Sequence, residues 1–305
     1  MKIASIPKYI LHASMTSEEA KTLNESSGWA GALMRIPDLW NKTQGEGVTV
    51  AVLDTGCDLA HPDLKGAVKN SKSFVPREVV DDLNNHGTAC CGIIGARRDG
   101  KGIIGIAPKC SLLVGKVLSN EGSGTMDSIA KGIDWAVAEG ADIISMSLGS
   151  DGDEPTLFNS VHTALSKGVI IVAAAGNSGS YGINTVGYPA RYGSVISIGA
   201  HDQNGNVSGF SSRGGDVDFI APGEDIVSLG KKGTYTRMSG TSFATPIVAG
   251  VCALILAKHK VSGGDTPIRN CTEMLDHLML IASHPGYYDP ASGYGVLMPF
   301  MKDAF

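Results

Sequence analysis

The chain has 305 residues, of which 43% are hydrophobic and 18% are charged, and it contains 40 glycines. This composition excludes a disordered chain and predicts one large compact domain with many tight loops. The net charge of −5 argues against a general nucleic-acid binder, which would present a basic face to phosphates.

Apolar runs and turn signals alternate along the chain, and their length and periodicity predict the elements. The first 29 residues mix Ser, Thr and Glu with few apolar residues, carry no strand signal and look appended. The predicted strands are 48–53, 112–118, 143–148, 169–175 and 195–198, and the predicted helices are 87–95, 126–139, 156–166 and 242–258. This alternation predicts an α/β fold with a mostly parallel central sheet flanked by helices on both faces.

Three short motifs adjoin these runs: Asp-Thr-Gly at 54–56, His-Gly-Thr at 86–88 and Gly-Thr-Ser at 240–242. A serine hydroxyl becomes nucleophilic when an imidazole takes its proton, and a carboxylate fixes the tautomer of that imidazole. We therefore interpret Ser242 as the nucleophile, His86 as general base and acid, and Asp54 as the residue that orients His86. Each motif alone is also typical of a turn or a capped helix start.

Longer stretches around the motifs resemble one protein family. They read VLDTGCD at 52–58, HPDL at 61–64, DIISMSLG at 142–149, AAGN at 174–177 and APG at 221–223. Together with the order Asp, His, Ser, they resemble the subtilases. Cys57, directly after Asp-Thr-Gly, is typical of the intracellular subtilisins of bacteria. The resemblance covers about residues 48–297 and implies a three-layer subtilisin-like fold and a serine endopeptidase.

The resemblance implies further catalytic and backbone-binding residues. Asn177 would donate its side-chain amide to the oxyanion of the tetrahedral intermediate, together with the Ser242 N–H. A strand-ending turn is the alternative reading of the segment before Asn177. Ser147, Leu148 and Gly149 would form an edge that pairs with an extended substrate backbone.

Two side-chain pockets are also implied. Gly187 would lie at the base of the primary pocket, and the uncharged Ser178 favours large apolar or aromatic residues before the cleaved bond. Met126 and Ile129 would line a second apolar pocket, although core packing of a helix explains them equally well. Phe243 stands where relatives commonly have Met, beside the nucleophile.

A structural calcium site is implied around Asp63. The loop at 97–103 would add the side chain of Asp99 and backbone carbonyls, for which Arg97, Lys101 and Ile103 are the candidates. Hard oxygen ligands of this kind suit Ca²⁺. Basic side chains turned inward would repel the ion, and an exposed turn is the simple alternative.

Residues 1–27 are interpreted as an N-terminal extension and residues 28–305 as the catalytic domain. The segment Ile-Pro-Lys-Tyr at 6–9 resembles the extension of intracellular subtilisins, here with an inserted Lys8, and those extensions block their own cleft. Proline fixes its backbone and lacks an N–H, so it can bend a bound peptide away from productive geometry. We expect an inhibitory segment; a frayed terminus is the alternative.

We expect a cytoplasmic protein that acts on polypeptides and has no membrane or nucleic-acid partner. The chain start lacks the apolar core of a signal peptide. The apolar segments 168–175 and 246–257 are shorter than the roughly 20 residues of a membrane span. The cysteines lack metal-ligand spacing and are interpreted as free thiols of a reducing compartment: Cys57, Cys90, Cys91, Cys110, Cys252 and Cys271.

The resemblance also implies a homodimer. Two other functions stay open at this point. One is a catalytically silent relative that binds extended peptides, and the other is a maturation protease dedicated to one precursor.

Overall fold

The computed structural model describes residues 3–6, 10–15, 25–180, 183–262 and 268–300. In these ranges the strands are β1 (Ile3–Ser5), β2 (Ile10–Ser14), β3 (Thr49–Asp54), β4 (Val68–Ser73), β5 (Ser111–Lys116), β6 (Ser123–Thr125), β7 (Ile143–Met146), β8 (Ile170–Ala174), β9 (Ile196–His201), β10 (Phe219–Pro222), β11 (Ile226–Gly230) and β12 (Thr234–Ser239). The α-helices are α1 (Gly28–Leu33), α2 (Ile36–Leu39), α3 (His86–Gly95), α4 (Met126–Ala138), α5 (Pro155–Ser166), α6 (Thr241–Ser262) and α7 (Cys271–Leu280).

Seven strands form the central sheet in the order β10-β9-β8-β7-β3-β5-β4, and every neighbouring pair is parallel. The predicted fold class is confirmed. The chain leaves β3 toward β4 and β5 on one side and then continues to β7 on the other side. Ligand crevices form at such a reversal, outside the carboxyl ends of the strands. Asp54 ends β3 there, and Ser147 follows β7.

The sheet separates two hydrophobic clusters, one on each face. Strand β3 alternates between them: Val50 and Val52 belong to the cluster that includes residues of α3 and α6, whereas Ala51 and Leu53 belong to the cluster with α4 and α5. This alternation follows from the period of two in a strand, and both faces are apolar because both are covered. Helices therefore flank both faces, as predicted.

Helix α6 crosses the centre of the first cluster. Its window Thr241–Lys260 is long and apolar enough to span a bilayer, and 94% of that window is buried inside the protein. The helix is longer than the apolar segment identified in the sequence. Its burial makes it the core helix of the fold.

The N-terminal region contains two strands, although its sequence carries no strand signal. The expectation of a region without strands was therefore wrong. β1 pairs antiparallel with β6, and β2 pairs antiparallel with β12. Both strands form by addition to edges that already exist, which needs backbone groups rather than strand propensity. Residues 7–9, on which the Ile-Pro-Lys-Tyr interpretation depends, lie outside the described residues.

We predict that Asp218→Asn stabilises the protein above neutral pH. Burial raises the pKa of Asp218 to about 7, helped by the charge of Asp216, while the hydrogen bond from Ser197 N opposes the rise. Because the folded pKa exceeds the unfolded one, stability falls as pH rises from about 4 to about 7. The variant should gain up to roughly 2 kcal/mol at pH 8 and nothing at pH 4, measured by urea unfolding.

Asp216→Asn is the control for that measurement. Asp216 lies 3.4 Å from Arg191 and accepts a hydrogen bond from Asn184. Loss of these contacts offsets the relief of its repulsion of Asp218, so this variant should gain less stability at pH 8 than Asp218→Asn. Equal stability of the wild type and Asp218→Asn at both pH values would contradict the prediction.

Candidate active site

Asp54 and His86 meet at the carboxyl edge of the sheet. Nδ1 of His86 lies 2.8 Å from Oδ1 of Asp54, and both side chains are buried. His86 opens α3, and the following Gly87 lets the helix start lie against the loop after β3. A Cβ at Gly87 would stand 2.2 Å from the carbonyl oxygen of Gly56. The glycine in His-Gly-Thr is therefore required for this approach.

Asp82 joins the loop after β3 to the start of α3. Its Oδ1 accepts from the Thr55 hydroxyl at 2.9 Å, and its Oδ2 accepts from the backbone N–H and the hydroxyl of Thr88 at 2.8 and 2.7 Å. The Thr55 hydroxyl in turn accepts from Gly87 N at 3.0 Å. Asp82 is 1% exposed. Its carboxylate accepts the N–H of Thr88 in the first turn of α3, a bond that an N-cap side chain normally makes, whereas the N-cap residue Asn85 makes no side-chain cap bond.

Lys116 fixes the other side of the same loop. It ends β5 directly beside Asp54 and is fully buried. Its ammonium group donates to the Thr55 carbonyl and to Asn120 Oδ1, and it lies 3.1 Å from Glu78 Oε2. A buried ammonium is costly unless paired and hydrogen-bonded, and these partners meet that requirement.

Ser242 lies in the first turn of α6, where Pro246 shapes its surroundings. A proline has no N–H, so Pro246 leaves the Ser242 carbonyl without its normal helical partner. That carbonyl instead accepts from the Ser147 hydroxyl at 2.7 Å and from the Cys90 thiol at 3.6 Å. The Ser242 hydroxyl donates to the Ser147 carbonyl at 3.4 Å. The nucleophile candidate is thus tied to the end of β7 and to α3.

Phe243 and Cys90 are two further neighbours of His86. The Phe243 ring lies 5.3 Å from the His86 ring, centroid to centroid, and is fully buried. Ligand atoms of Asp54, His86 and Cys90 lie within 4.8 Å of one another. Burial, together with the charge of Asp54, raises the pKa of Cys90 well above its usual range, so this residue is a thiol rather than a competing thiolate.

Asn177 follows β8 and is oriented by Thr241. Its Oδ1 accepts from the Thr241 N–H and from the Thr241 hydroxyl, both at 2.9 Å. Since the carbonyl end of the amide is fixed by Thr241, its NH₂ end is the end that can serve as a donor at the cleft. Thr241 also accepts from Gly176 N, so one residue joins this loop to the start of α6.

The chain's own N-terminal strand lies along the predicted peptide-binding edge. Ser5 N donates to Gly149 O at 3.1 Å, and Gly149 N donates to Ser5 O at 3.0 Å. Leu148 is fully buried, so this residue presents its backbone and not its side chain. β1 is therefore held between β6 and Gly149.

Gly187 lies along the wall of the same cleft. The cleft has a volume of about 720 Å³ and is bordered by Ser5, Ile6, Gly187, Asn177, Ser178 and Phe210 among others. Among the described residues that line it, Asp151 is the one with a charged side chain. A Cβ at Gly187 would come within 3.2 Å of the Ser150 carbonyl oxygen, so a larger residue at this position would crowd the wall of the cleft.

Met126 and Ile129 are core residues of α4, 6% and 0% exposed. In this structure both side chains are packed in the core, as the alternative interpretation expects. Ala4 of the N-terminal strand is 1% exposed and belongs to the same hydrophobic cluster. A pocket role for Met126 and Ile129 stays a prediction.

The loop after α3 folds against Asp63. Ile103 N and the Tyr235 hydroxyl each donate to Asp63 Oδ2 at 3.0 Å. Burial raises the pKa of Tyr235, and the charges of Asp63 and Asp99 add to the rise, so both carboxylates act on this hydroxyl. Asp99 and Lys101 are exposed.

The two arginines of that loop do not face Asp63. The Arg97 guanidinium donates to the carbonyl oxygens of Gly66, Pro108 and Cys110, and Arg98 lies over the Trp40 ring. A further carboxylate, that of Glu25, lies at this loop, because Gly100 N donates to Glu25 Oε1 at 2.6 Å. The expected repulsion of a cation by these arginines is thereby removed.

Sequence reasoning missed Asp82, Thr55 and Lys116 as residues that position the site. Asp82 stands four residues before His86, and this spacing before a helix start was an available signal. Lys116 gave a weaker signal, a lone cation at the end of an apolar strand. All six cysteines are buried and free, as expected from their spacing.

Many known proteins are similar to this chain. An intracellular serine protease of Paenibacillus polymyxa is 45% identical over 230 residues, which are 73% of this chain and 71% of that protein. M-protease of Shouchella clausii is 42% identical over 83% of this chain and 65% of its own length, and subtilisin Savinase of Lederbergia lenta is 42% identical over 81% of this chain and 90% of its own. The chain is a serine endopeptidase of the subtilisin type.

The subtilase family model matches residues 45–291, which contain the candidate triad and the central sheet. The chain therefore belongs to the subtilase family.

We predict that Asp82→Asn lowers kcat at least tenfold and changes KM less than twofold. The amide NH₂ cannot accept the hydrogen bonds that Thr55 or Thr88 donates to the carboxylate, so the helix start that positions His86 would be held less firmly. Asp81→Asn, which neutralises an exposed neighbour, is the matched control. Wild-type kinetics of Asp82→Asn, with both variants folded by thermal unfolding, would contradict this role.

Proposed function

We propose that this protease cleaves peptide bonds through an acyl-enzyme on Ser242. His86 takes the proton of the Ser242 hydroxyl as the oxygen attacks the carbonyl carbon, and returns it to the leaving amine. Asp54 accepts the Nδ1–H of His86 and stabilises the imidazolium. A water then attacks the ester with His86 again as base. The observation that supports this most strongly is the buried 2.8 Å contact between Asp54 and His86.

Asn177 and the Ser242 N–H are the proposed donors to the oxyanion. Support comes from Thr241, which holds Asn177 Oδ1 and immediately precedes Ser242. A donor already fixed before the reaction stabilises developing charge without reorganisation. Replacing the corresponding donor in a subtilisin lowers turnover by about 10²–10³, and the same magnitude is expected for Asn177→Ala.

Labelling with a fluorophosphonate tests the proposed nucleophile. The wild type should form one covalent adduct, on Ser242, and Ser242→Ala should form none and lose about 10⁶ in kcat, the magnitude known for a subtilisin. Ser166→Ala, which removes an exposed hydroxyl at the end of α5, should keep the label. A wild type that takes no label after removal of its N-terminal segment would support a silent peptide-binding protein instead.

The proposed specificity is for large apolar or aromatic residues before the cleaved bond. The cleft beside Gly187 and Ser178 is bordered mainly by small and neutral residues, which leaves room for a large side chain. Backbone pairing at Gly149 gives affinity that does not depend on sequence. Profiling of cleaved bonds in a peptide library tests this, and a preference for basic residues would contradict it.

We further propose that the segment before about residue 27 inhibits the protease. Support comes from β1, whose backbone takes the position at Gly149 that a substrate backbone would need. Ala4 is anchored in the cluster of Met126 and Ile129, whereas the adjacent Ser5 side chain is exposed. The segment and a substrate would therefore compete.

Ala4→Arg in the full chain should raise activity at least tenfold, because a buried charge at this position expels β1. Ser5→Arg is the matched control and should change activity less than twofold. A form starting at Gly28 should be as active as Ala4→Arg or more so. Equal activities of the full chain, Ala4→Arg and the Gly28 form would contradict inhibition.

Calcium binding near Asp63 is proposed as a stabilising feature. The donor set fits a hard cation: Asp63, Asp99 and Glu25 supply carboxylates at one loop, and the arginines point away. Such an ion would tie the loop at 97–103 to the residues before α1. A chelator should lower the midpoint of thermal unfolding by several degrees, and Asp63→Asn should remove that sensitivity. An unchanged midpoint would contradict the proposal.

A cytoplasmic location and a homodimer complete the proposal. The six buried free thiols and the intracellular relative support the location. Alkylation of the denatured protein directly after cell lysis tests the thiols, because buried thiols react slowly in the folded protein. Disulfides would contradict the location. Sedimentation tests the homodimer.

A further inference from the structure

Glu78 joins two loops at the candidate site through one carboxylate oxygen. Its Oε2 lies 3.1 Å from the Lys116 ammonium and also accepts from Asn120 N at 3.0 Å. Lys116 is fully buried, and 22% of the Glu78 side chain is exposed. The charge of Lys116 is therefore balanced from the loop before α3, and the loop between β5 and β6 is held at the same point.

The hydrogen bonds of Asn120 reach three residues of this region. Its N–H donates to Glu78, and its side-chain Oδ1 accepts from Lys116 Nζ at 3.0 Å. Its carbonyl accepts from Asn84 Nδ2 at 2.9 Å, and Asn84 stands two residues before His86. Asn120 is thus connected both to the buried cation and to the segment that leads into α3.

The Lys116 ammonium has three N–H donors, and three oxygen atoms lie no more than 3.1 Å from it. They are the Thr55 carbonyl, Asn120 Oδ1 and Glu78 Oε2. Removal of one acceptor from this buried set leaves an N–H without a partner, so the ammonium must turn or draw in water. Either change alters its hold on Thr55, whose N–H donates to Asp54 Oδ1 at 2.7 Å.

The loop that carries Asn120 also contacts the N-terminal segment in the cleft. Gly122 O accepts from Ile6 N at 2.9 Å, and a Cβ at Gly122 would stand 2.9 Å from Ile6 Cδ1. A displacement of this loop would change what binds in the cleft, whereas a displacement of Lys116 would change the triad. KM and kcat therefore report separately on these two consequences of a change at Asn120.

We propose that Asn120 and Glu78 are positioning residues of the protease that act through Lys116. By holding the ammonium on the Thr55 carbonyl, they fix the carboxylate of Asp54 in the orientation that the triad requires. Asn120 acts by its side-chain oxygen, and Glu78 acts by its charge. The proposal rests on the proposed proteolysis and adds the loop between β5 and β6 to the groups that hold the triad.

Asn120→Leu and Asn120→Asp separate this role from ordinary packing of the loop. Leucine has a similar size but no acceptor, whereas aspartate keeps an oxygen that accepts from Lys116. Each variant is folded as the full chain with a recognition sequence for a site-specific protease inserted within residues 16–24, and is then cut and freed of its N-terminal segment. We expect Asn120→Leu to lower kcat at least tenfold with KM changed less than twofold, and Asn120→Asp to stay within twofold of the wild type.

Asn159→Leu makes the same chemical change at an exposed position of α5 and is the matched control. Thermal unfolding checks that each variant is folded. Wild-type kcat in Asn120→Leu would overturn the proposal, whether or not KM rises, because the residue would then only shape the loop. An Asn120→Asp variant as slow as Asn120→Leu would overturn it as well.

A double-variant test shows whether Asn120 acts through Lys116. In a Lys116→Met background the ammonium is absent, so Asn120→Leu should lower kcat less than twofold further. Glu78→Gln keeps an oxygen for Asn120 N but removes the charge, so by itself it should lower kcat at least fivefold and should also have no further effect in that background. Equal losses in both backgrounds would contradict action through Lys116. If Asn120→Leu does not fold, the result for Glu78→Gln decides.

Proton NMR gives a readout that needs no catalysis. The Nδ1–H of His86, bonded to Asp54, should resonate far downfield of the amide protons in the wild type and in Asn120→Asp. In Asn120→Leu this signal should move upfield and broaden, because the carboxylate is held less firmly. If the wild type neither hydrolyses peptides nor takes the fluorophosphonate label while this difference is seen, the proposed proteolysis fails and the positioning role stands. An identical signal in all three proteins would overturn the positioning role.

Discussion

The candidate site depends on the fixation of Thr55 between a buried cation and a buried anion. Its carbonyl accepts from Lys116, and its hydroxyl donates to Asp82 while accepting from Gly87 N. Thr55 N also donates to Asp54 Oδ1 at 2.7 Å. The carboxylate that orients His86 is thus positioned in part by the hydrogen bonds that hold Thr55.

A second constraint acts on Ser242. Pro246 removes one helical hydrogen bond, and the carbonyl it leaves is shared by Ser147 from β7 and Cys90 from α3. Thr241 meanwhile holds Asn177. Helix α6 is therefore joined by its first turn to three other segments at the carboxyl edge of the sheet. Buried polar groups of this kind rigidify a site when each has a partner.

The sequence alone predicted the parallel sheet, its principal helices and the residues of the candidate triad, because hydrophobic runs and short motifs are local signals. It did not predict β1, β2 or the pairing of β12, since strand addition depends on an edge built by distant residues. The role of Lys116 was not predicted for a similar reason. Its partners Thr55, Asn120 and Glu78 are brought together by the fold and by no fixed spacing.

The same backbone contacts explain why a weakly strand-forming segment can occupy the cleft. On the proposed function, β1 pairs with an edge at Gly149 that a substrate would also use, so its advantage over a substrate is its covalent tether to the catalytic domain. A tether gives an effective concentration in the millimolar range for short flexible links, and cutting it removes that advantage without altering any contact. On the proposed inhibition, one cleavage before Gly28 therefore converts an intramolecular occupant into a dilute competitor, and the edge at Gly149 becomes available to polypeptide substrates.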